Sequence, residues 1–164
     1  KMQEEEAPIA IFSESGRIIK SKPRKEIDKI KDTLGTVNII LSNNEKEVFI
    51  IKAKNSLWED KWGGSCAGLI RLNESPEQAA KRTAQRELGV NLELENIGSG
   101  YYNFNGVKRW LSVFYGSIKK QINPNEEDII EGRWASKDQI NKLIEEDMCM
   151  PTFKIAYSKV LRFL

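Results

Sequence analysis

The stretch from Gly63 to Val90, GGSCAGLIRLNESPEQAAKRTAQRELGV, constrains the fold more than any other part of the chain. It joins a glycine pair, a strand-like run, a marked helix start and a glycine stop. Ser75 is the expected N-cap, and Pro76 suits the first helical turn, where its missing N–H would have found no partner anyway. Gln78 completes a capping-box pattern, and Gly89, at ease with left-handed backbone, ends the helix. Within the predicted helix Ser75 to Leu88, Ala79, Ala80, Thr83 and Ala84 keep one face small, so that another backbone can approach closely. The pair Gly63-Gly64 is expected to supply backbone conformations closed to other residues.

Strand patterns surround this helix. Ala7 to Phe12 and Arg17 to Lys20 flank a Ser-Glu-Ser-Gly turn and predict a hairpin. Pro23 to Lys31 reads as a loop or short surface helix that carries Ile27 and Ile30 inward. Leu34 to Leu41 and Glu47 to Lys54 predict a second hairpin around Asn43 to Lys46. Lys52 and Lys54, two apart on a strand, are expected on one face, as a phosphate-contacting pair or a solvated strand end. Asn91 to Phe104 and Val107 to Ile118 predict a third hairpin around Asn105-Gly106, a strong turn dipeptide. Their residues Tyr101, Tyr102, Phe104, Trp110, Phe114 and Tyr115 are expected to form the aromatic part of the core. Ile129 to Ala135 reads as a further strand. Ser136 caps a helix bearing Ile140, Leu143 and Ile144, and Thr152 to Leu164 has helical apolar spacing. One helix embedded among hairpins predicts an α+β or α/β sandwich with a mixed sheet.

A chain of 164 residues is long enough for one self-sufficient domain, with the charged residues 1 to 6 expected to fray. The net charge of +2 gives no sign of a nucleic-acid partner, so any phosphate affinity is expected to be local. No run of eighteen apolar residues and no basic-then-apolar leader pattern occurs, which predicts neither a membrane span nor secretion. The two cysteines, Cys66 and Cys149, lack metal-ligand spacing and suit free thiols in a reducing cytoplasm. The absence of histidine removes imidazole bases, triads and imidazole metal sites together. Acid-base or metal chemistry then falls to carboxylates, Lys, Tyr or Cys.

Counting from Gly68 gives five residues and Glu74, then seven and Arg82, then Thr83-Ala84-Gln85-Arg86-Glu87-Leu88-Gly89-Val90. This spacing resembles the Nudix box, in which a glycine, a glutamate, an Arg-Glu pair and a later Glu-Glu pair recur at fixed intervals. The Val48 to Lys54 strand, the acidic Glu126-Glu127-Asp128 and the Glu131-Gly132-Arg133-Trp134 segment resemble the family's flanks. The opening APIAIFSESGRII and the ending MPTFKIAYSKVLRFL are similar to the subgroup that contains isopentenyl diphosphate isomerase and related hydrolases. The resemblance implies a Nudix-type α/β/α sandwich with a mixed sheet, and a Mg²⁺ or Mn²⁺ ion held by helix carboxylates on a diphosphate.

Carried over residue by residue, the resemblance makes Glu74 and Glu87 the candidate catalytic carboxylates. Glu87, Glu127 and Asp128 are the candidate metal ligands, with the acidic loop supplying what the helix lacks. Lys52, Lys54, Arg82, Arg86, Gly68 and Trp58 are the candidates for phosphate or substrate contact, and Glu74 with Arg82 also reads as a structural brace. The chain departs from the box at two carboxylates, which are Thr83 and Arg86 here. Beside a cation at effective dielectric 20, a unit positive charge about 6 Å away costs roughly 3 kcal/mol, doubled for a divalent ion.

Three functions are therefore expected to compete. The first is a Nudix-type hydrolase that cleaves a small-molecule diphosphate linked to another moiety. The second is a non-catalytic module that binds a phosphorylated ligand or protein through Arg82, Arg86, Lys52 and Lys54, with arginine in place of metal. The third, remote, is the isomerase, whose reactive cysteine precedes the box glycine, where this chain has Ala67. Cys66, one residue earlier, is expected on the opposite face of an extended segment.

Overall fold

The computed structural model describes residues 7–164; the expected fraying of residues 1 to 6 lies outside them. The sheet is built around strand β3 (Leu34–Ser42), in which every residue is buried. One edge of β3 pairs in parallel with β7 (Val107–Ser117) over its whole length, from Leu34 opposite Arg109 to Ser42 opposite Ser117. In the other direction β3 meets β1 (Ile9–Phe12) at Leu34, β5 (Cys66–Leu69) from Thr36 to Ile39, and β4 (Val48–Ala53) at Ser42.

The Asn43 to Lys46 turn forms as expected, with Asn43 Oδ1 accepting the N–H groups of Glu45 and Glu47. The hairpin it was expected to close does not continue. After Ser42 opposite Val48 the two strands part, and β4 pairs instead with β8 (Ile129–Ala135). Ser65 fills the fork. Its hydroxyl donates to the Phe49 carbonyl at 2.7 Å and accepts the Leu41 N–H at 2.8 Å, joining strands that no longer pair.

Side-chain alternation on β3 then divides the core. Val37, Ile39 and Leu41 pack against Ala79, Ala80, Ala84 and Leu88 of helix α1 (Pro76–Leu88). On the opposite face Ile40, with Leu111 and Val113 of β7, packs on Phe153, Ala156, Tyr157 and Val160 of α3 (Pro151–Val160). Ile140 of α2 (Lys137–Glu145) joins this second layer. The result is the expected α/β/α sandwich with a mixed sheet, and burying a side chain such as Leu88 or Phe153 contributes about 1.5–3 kcal/mol.

Helix α1 starts and stops where its punctuation placed it. Ser75 Oγ accepts the Gln78 N–H, Gln78 returns the bond to the Ser75 N–H, and Gly89 takes φ 66. The hairpin of β6 (Glu95–Phe104) and β7 turns on Asn105 and Gly106 at φ 53 and 98, the left-handed pair that such a turn requires.

Three expectations need correction. Gly63 and Gly64 have no left-handed backbone; they are glycine for space, since a Cβ on Gly64 would stand 2.7 Å from Ile40 Cδ1 and one on Gly63 3.0 Å from Met150 Sδ. Between β2 (Ile18–Lys22) and β3 lies a 3-10 turn at Arg24–Glu26, and Ile30, expected inward, is 50% exposed. Of the aromatic run only Phe114 is fully buried; Tyr102, Trp110 and Tyr115 are half-buried and pack against the two core layers, while Tyr101 and Phe104, on the outer strand β6, are half-buried outside them. Among the described residues no helix is long and apolar enough to cross a membrane.

Candidate active site

Where β4 leaves β3, a cavity of about 630 Å³ opens between the end of α1, the face of β3 and the 54–58 loop. Its floor is Leu34, Thr36 and Asn38 of β3 with Ala67 and Leu69 of the adjoining β5. Arg82, Thr83, Arg86 and Glu87 form the helix wall, and Lys54 and Trp58 stand on the loop side.

The small face of α1 sets the wall. Strand β5 lies so close to the helix that a Cβ on Gly68 would collide with Thr83 Oγ1, which explains the glycine by packing while leaving it at the cavity edge. Thr83 is 2% exposed, and its hydroxyl is buried with no hydrogen-bond partner. Thr83 thus offers no charge where the box spacing expects a carboxylate.

Glu74 is committed to structure. Its two oxygens take a forked bond from Arg82, Nε at 2.7 Å and Nη2 at 2.9 Å, and Oε1 also accepts the Arg71 N–H at 3.1 Å. Arg82 Nη2 reaches on to the Leu69 carbonyl at 2.8 Å. Burial opposes ionisation of Glu74, yet the Arg82 hydrogen bond and the Arg71 N–H outweigh it and hold the carboxyl below its ordinary range. The geometry engages both Glu74 oxygens in tying β5 and its following turn to α1, and the cavity receives the flank of Arg82.

Glu87 is placed differently. One turn after Thr83 on the same helical face, it is half-buried at the cavity wall and accepts a hydrogen bond from the Ala67 backbone. Burial, and next the charge of Asp128, raise its pKa from 4.5 to about 8 against the opposing effect of the Ala67 N–H, Arg86 and Arg82. A carboxyl tuned toward neutrality in a cleft is suited to taking or giving a proton.

Asp128 arrives from the loop after β7. The Asn125 N–H caps the helix by donating to the Glu87 carbonyl at 2.8 Å, and the turn returns through Asp128 N–H to the Asn125 carbonyl at 3.0 Å. The Lys54 N–H then bonds the Asp128 carbonyl at 2.9 Å, so the loop and β4 are held together beside the helix end. The Asp128 carboxylate lies 3.4 Å from Arg86 Nε. Glu127 does not join it; its N–H is tied to Asn125 Oδ1, and its side chain is exposed and away from the cavity lining.

The lysine pair is divided as well. The β4–β8 register shifts between Lys52 and Ala53, which breaks the alternation expected to keep the two lysines together. Lys54 lines the cavity, whereas Lys52 Nζ lies 5.1 Å from the centre of the Trp62 ring, which Arg133 also approaches at 4.7 Å. Trp58 borders the cavity edge-on to Phe104, ring centres 6.1 Å apart.

Some lining residues were not singled out by the sequence reading. Thr36, Asn38 and Arg109 come from two strands that are far apart in the chain and adjacent in the sheet. Arg109 shares the alternation of Leu111 and Val113, so an inward cation was written into that strand.

With this geometry in place, comparison with known proteins is direct. The family model of the NUDIX domain matches residues 32–153. The chain belongs to the Nudix family. It is 22% identical over 121 residues to a Nudix hydrolase of Listeria monocytogenes, covering 71% of this chain and 72% of that one. It is 28% identical over 101 residues to the isopentenyl-diphosphate Delta-isomerase of Brevibacterium linens, covering 56% and 54%. The DR0079 crystal structure from Deinococcus radiodurans superposes with TM-score 0.78 at 17% identity, covering 93% of this chain and 98% of that one. The Nudix domain of Shewanella oneidensis NrtR, solved with ADP ribose, superposes at 0.65 with 14% identity, covering 85% and 96%.

Nudix hydrolases generally use divalent metals, and the donor set here bears on how one would be held. Among the described residues no three His, Cys, Asp or Glu side chains gather as a metal site. Glu87 and Asp128 make a pair close enough for one charge to disfavour the other. Mg²⁺ is commonly held by one or two carboxylates together with substrate phosphates. Among the described residues Glu87 and Asp128 are the carboxylates that could hold a cation together with a substrate's phosphates.

The isomerase resemblance finds no reactive thiol. Cys66 is 2% exposed within the α1-side core, and burial, with Glu87 next, pushes its pKa well up, the opposite of thiolate activation. Ala67, the exposed neighbour, has nothing to react.

Proposed function

We propose that this Nudix protein is a pyrophosphohydrolase acting on a small-molecule diphosphate joined to a second moiety. The observation that carries the reading is the meeting of Glu87 and Asp128 at one wall of a cavity whose remaining charged lining is cationic. Glu87 and Asp128 would hold Mg²⁺ or Mn²⁺, which supplies charge neutralisation on the diphosphate and a more acidic water. Lys54 and the exposed edge of Arg82 bind phosphate oxygens, and Trp58 offers a ring face to the second moiety. Before the cation and substrate arrive, burial and Asp128 favour the protonated Glu87 carboxyl, so taking up the cation releases that proton. The ADP ribose bound by the NrtR domain supports a ligand of this size and kind.

A second reading rests on the Arg86–Asp128 ion pair. An arginine at a box carboxylate position, already neutralising the acidic loop, favours a module that binds a phosphorylated ligand without cleaving it.

Incubation with a panel of nucleoside and sugar diphosphates, with and without Mg²⁺ or Mn²⁺, decides between them. Metal-dependent product formation, reduced by about a hundredfold or more in Glu87→Gln, is expected for the hydrolase. Ligand-induced thermal stabilisation without metal and without product would establish the binding module instead.

A further inference from the structure

Arg109 and Glu87 both line the cavity, on different elements, β7 and α1. Arg109 is 6% exposed, and its recorded hydrogen bonds are Nη1 to the Lys29 carbonyl at 2.9 Å and to the Lys108 carbonyl at 2.8 Å. Among the described residues no carboxylate pairs with it, and burial lowers its pKa to about 10. A guanidinium taken out of water normally has a paired anion, because an uncompensated buried charge is costly. Here the carbonyls satisfy one nitrogen and leave the charge directed at the cavity. Lys29, whose carbonyl takes part in holding Arg109, also lines the cavity.

Strand register places this cation relative to the carboxylates. Arg109 stands opposite Leu34, while Ala67, which hydrogen-bonds Glu87, stands opposite Asn38. Four strand residues separate the two levels, roughly 13 Å of backbone. At the backbone level that spacing exceeds the span of a diphosphate group. The floor between the two levels is Thr36 and Asn38, with Asn38 Nδ2 donating to Thr36 Oγ1 at 3.3 Å, flanked by Leu34 and Leu69. A mixed polar and apolar floor suits the organic part of a ligand.

We infer that Arg109 and Lys29 form a second anion subsite, so that the preferred ligand is a diphosphate whose other moiety itself carries a phosphate or carboxylate. The inference rests on the cavity's taking a diphosphate beside Glu87, and its test uses binding, so that it does not depend on turnover.

Calorimetry without added metal compares two matched pairs: NADP against NAD, which differ by one phosphate, and UDP-glucuronate against UDP-glucose, which differ by a carboxylate. The anionic member of at least one pair is expected to bind tighter by about tenfold or more. The pair that discriminates names the anion. In Arg109→Gln the ratio within that pair falls toward one. Lys29→Ala, an exposed position that leaves the fold alone, lowers the same ratio and serves if the Arg109 variant does not fold. Equal affinity within both pairs, or a ratio that survives in the variants, overturns the subsite while leaving the hydrolase reading standing. If no member of either pair binds, the subsite is overturned, and the hydrolase reading is decided separately by turnover with Mg²⁺ or Mn²⁺.

Discussion

Glu87 carries the most informative titration in the molecule. Its folded pKa is raised from 4.5 to about 8, first by burial and then by Asp128, against the Ala67 N–H, Arg86 and Arg82. Between those values the native protein keeps a proton that the unfolded chain has released, so stability falls as pH rises through the window. The contribution is full below pH 4.5 and is lost by about pH 8. Glu87→Gln keeps the shape and removes the titration. Melting temperature followed from pH 5 to 9 should therefore decline more steeply in the wild type, with the variant several degrees more stable at the alkaline end. Parallel curves would mean that Glu87 is ionised throughout, with no proton to release when the cation is taken up.

At the scale of elements, the helix wall was legible because its signals are local. Ser75, Pro76, Gln78 and Gly89 act within a turn of themselves, and the small face Ala79, Ala80, Thr83, Ala84 states how near a strand can come. The paired roles of Glu74 and Arg82 were legible too, and the geometry favours the brace: both Glu74 oxygens are engaged, and the ion pair is mostly buried. Glu74→Gln leaves Arg82 with an uncompensated charge and should cost about 3 kcal/mol at neutral pH. That corresponds to a fall in melting temperature of roughly 6 to 12 °C. Because Glu74 titrates below its ordinary range, its contribution is present above that range and lost as pH falls. The difference between variant and wild type should therefore shrink toward acid pH, the reverse of the Glu87 pattern. A variant with wild-type stability and no turnover would return Glu74 to the chemistry.

At the scale of the whole molecule, the site exists because the sheet divides, and no local pattern announces the division. The residues Leu34 to Ala53 read as an ordinary hairpin, since each strand and the turn between them obey the usual rules. What parts them is non-local: β8 captures β4, β5 takes the middle of β3, and Ser65 enters between. The same reason hid Arg109, whose alternation was visible but whose cavity depends on strands assembled from distant parts of the chain. Ser65 is the test of this view. It is fully buried, and its hydroxyl satisfies both the Phe49 carbonyl and the Leu41 N–H across the fork. Ser65→Ala removes the bridge, leaves both backbone groups without that partner, and should destabilise the protein by about 2–3 kcal/mol in urea titration. The Leu41 amide should also exchange with deuterium faster than its neighbours on β3, because the fork opens locally before the sheet does. If stability falls while Leu41 protection stays level with Ile39 and Ile40, the hydroxyl serves general packing, and another contact must hold the fork from which the cavity opens.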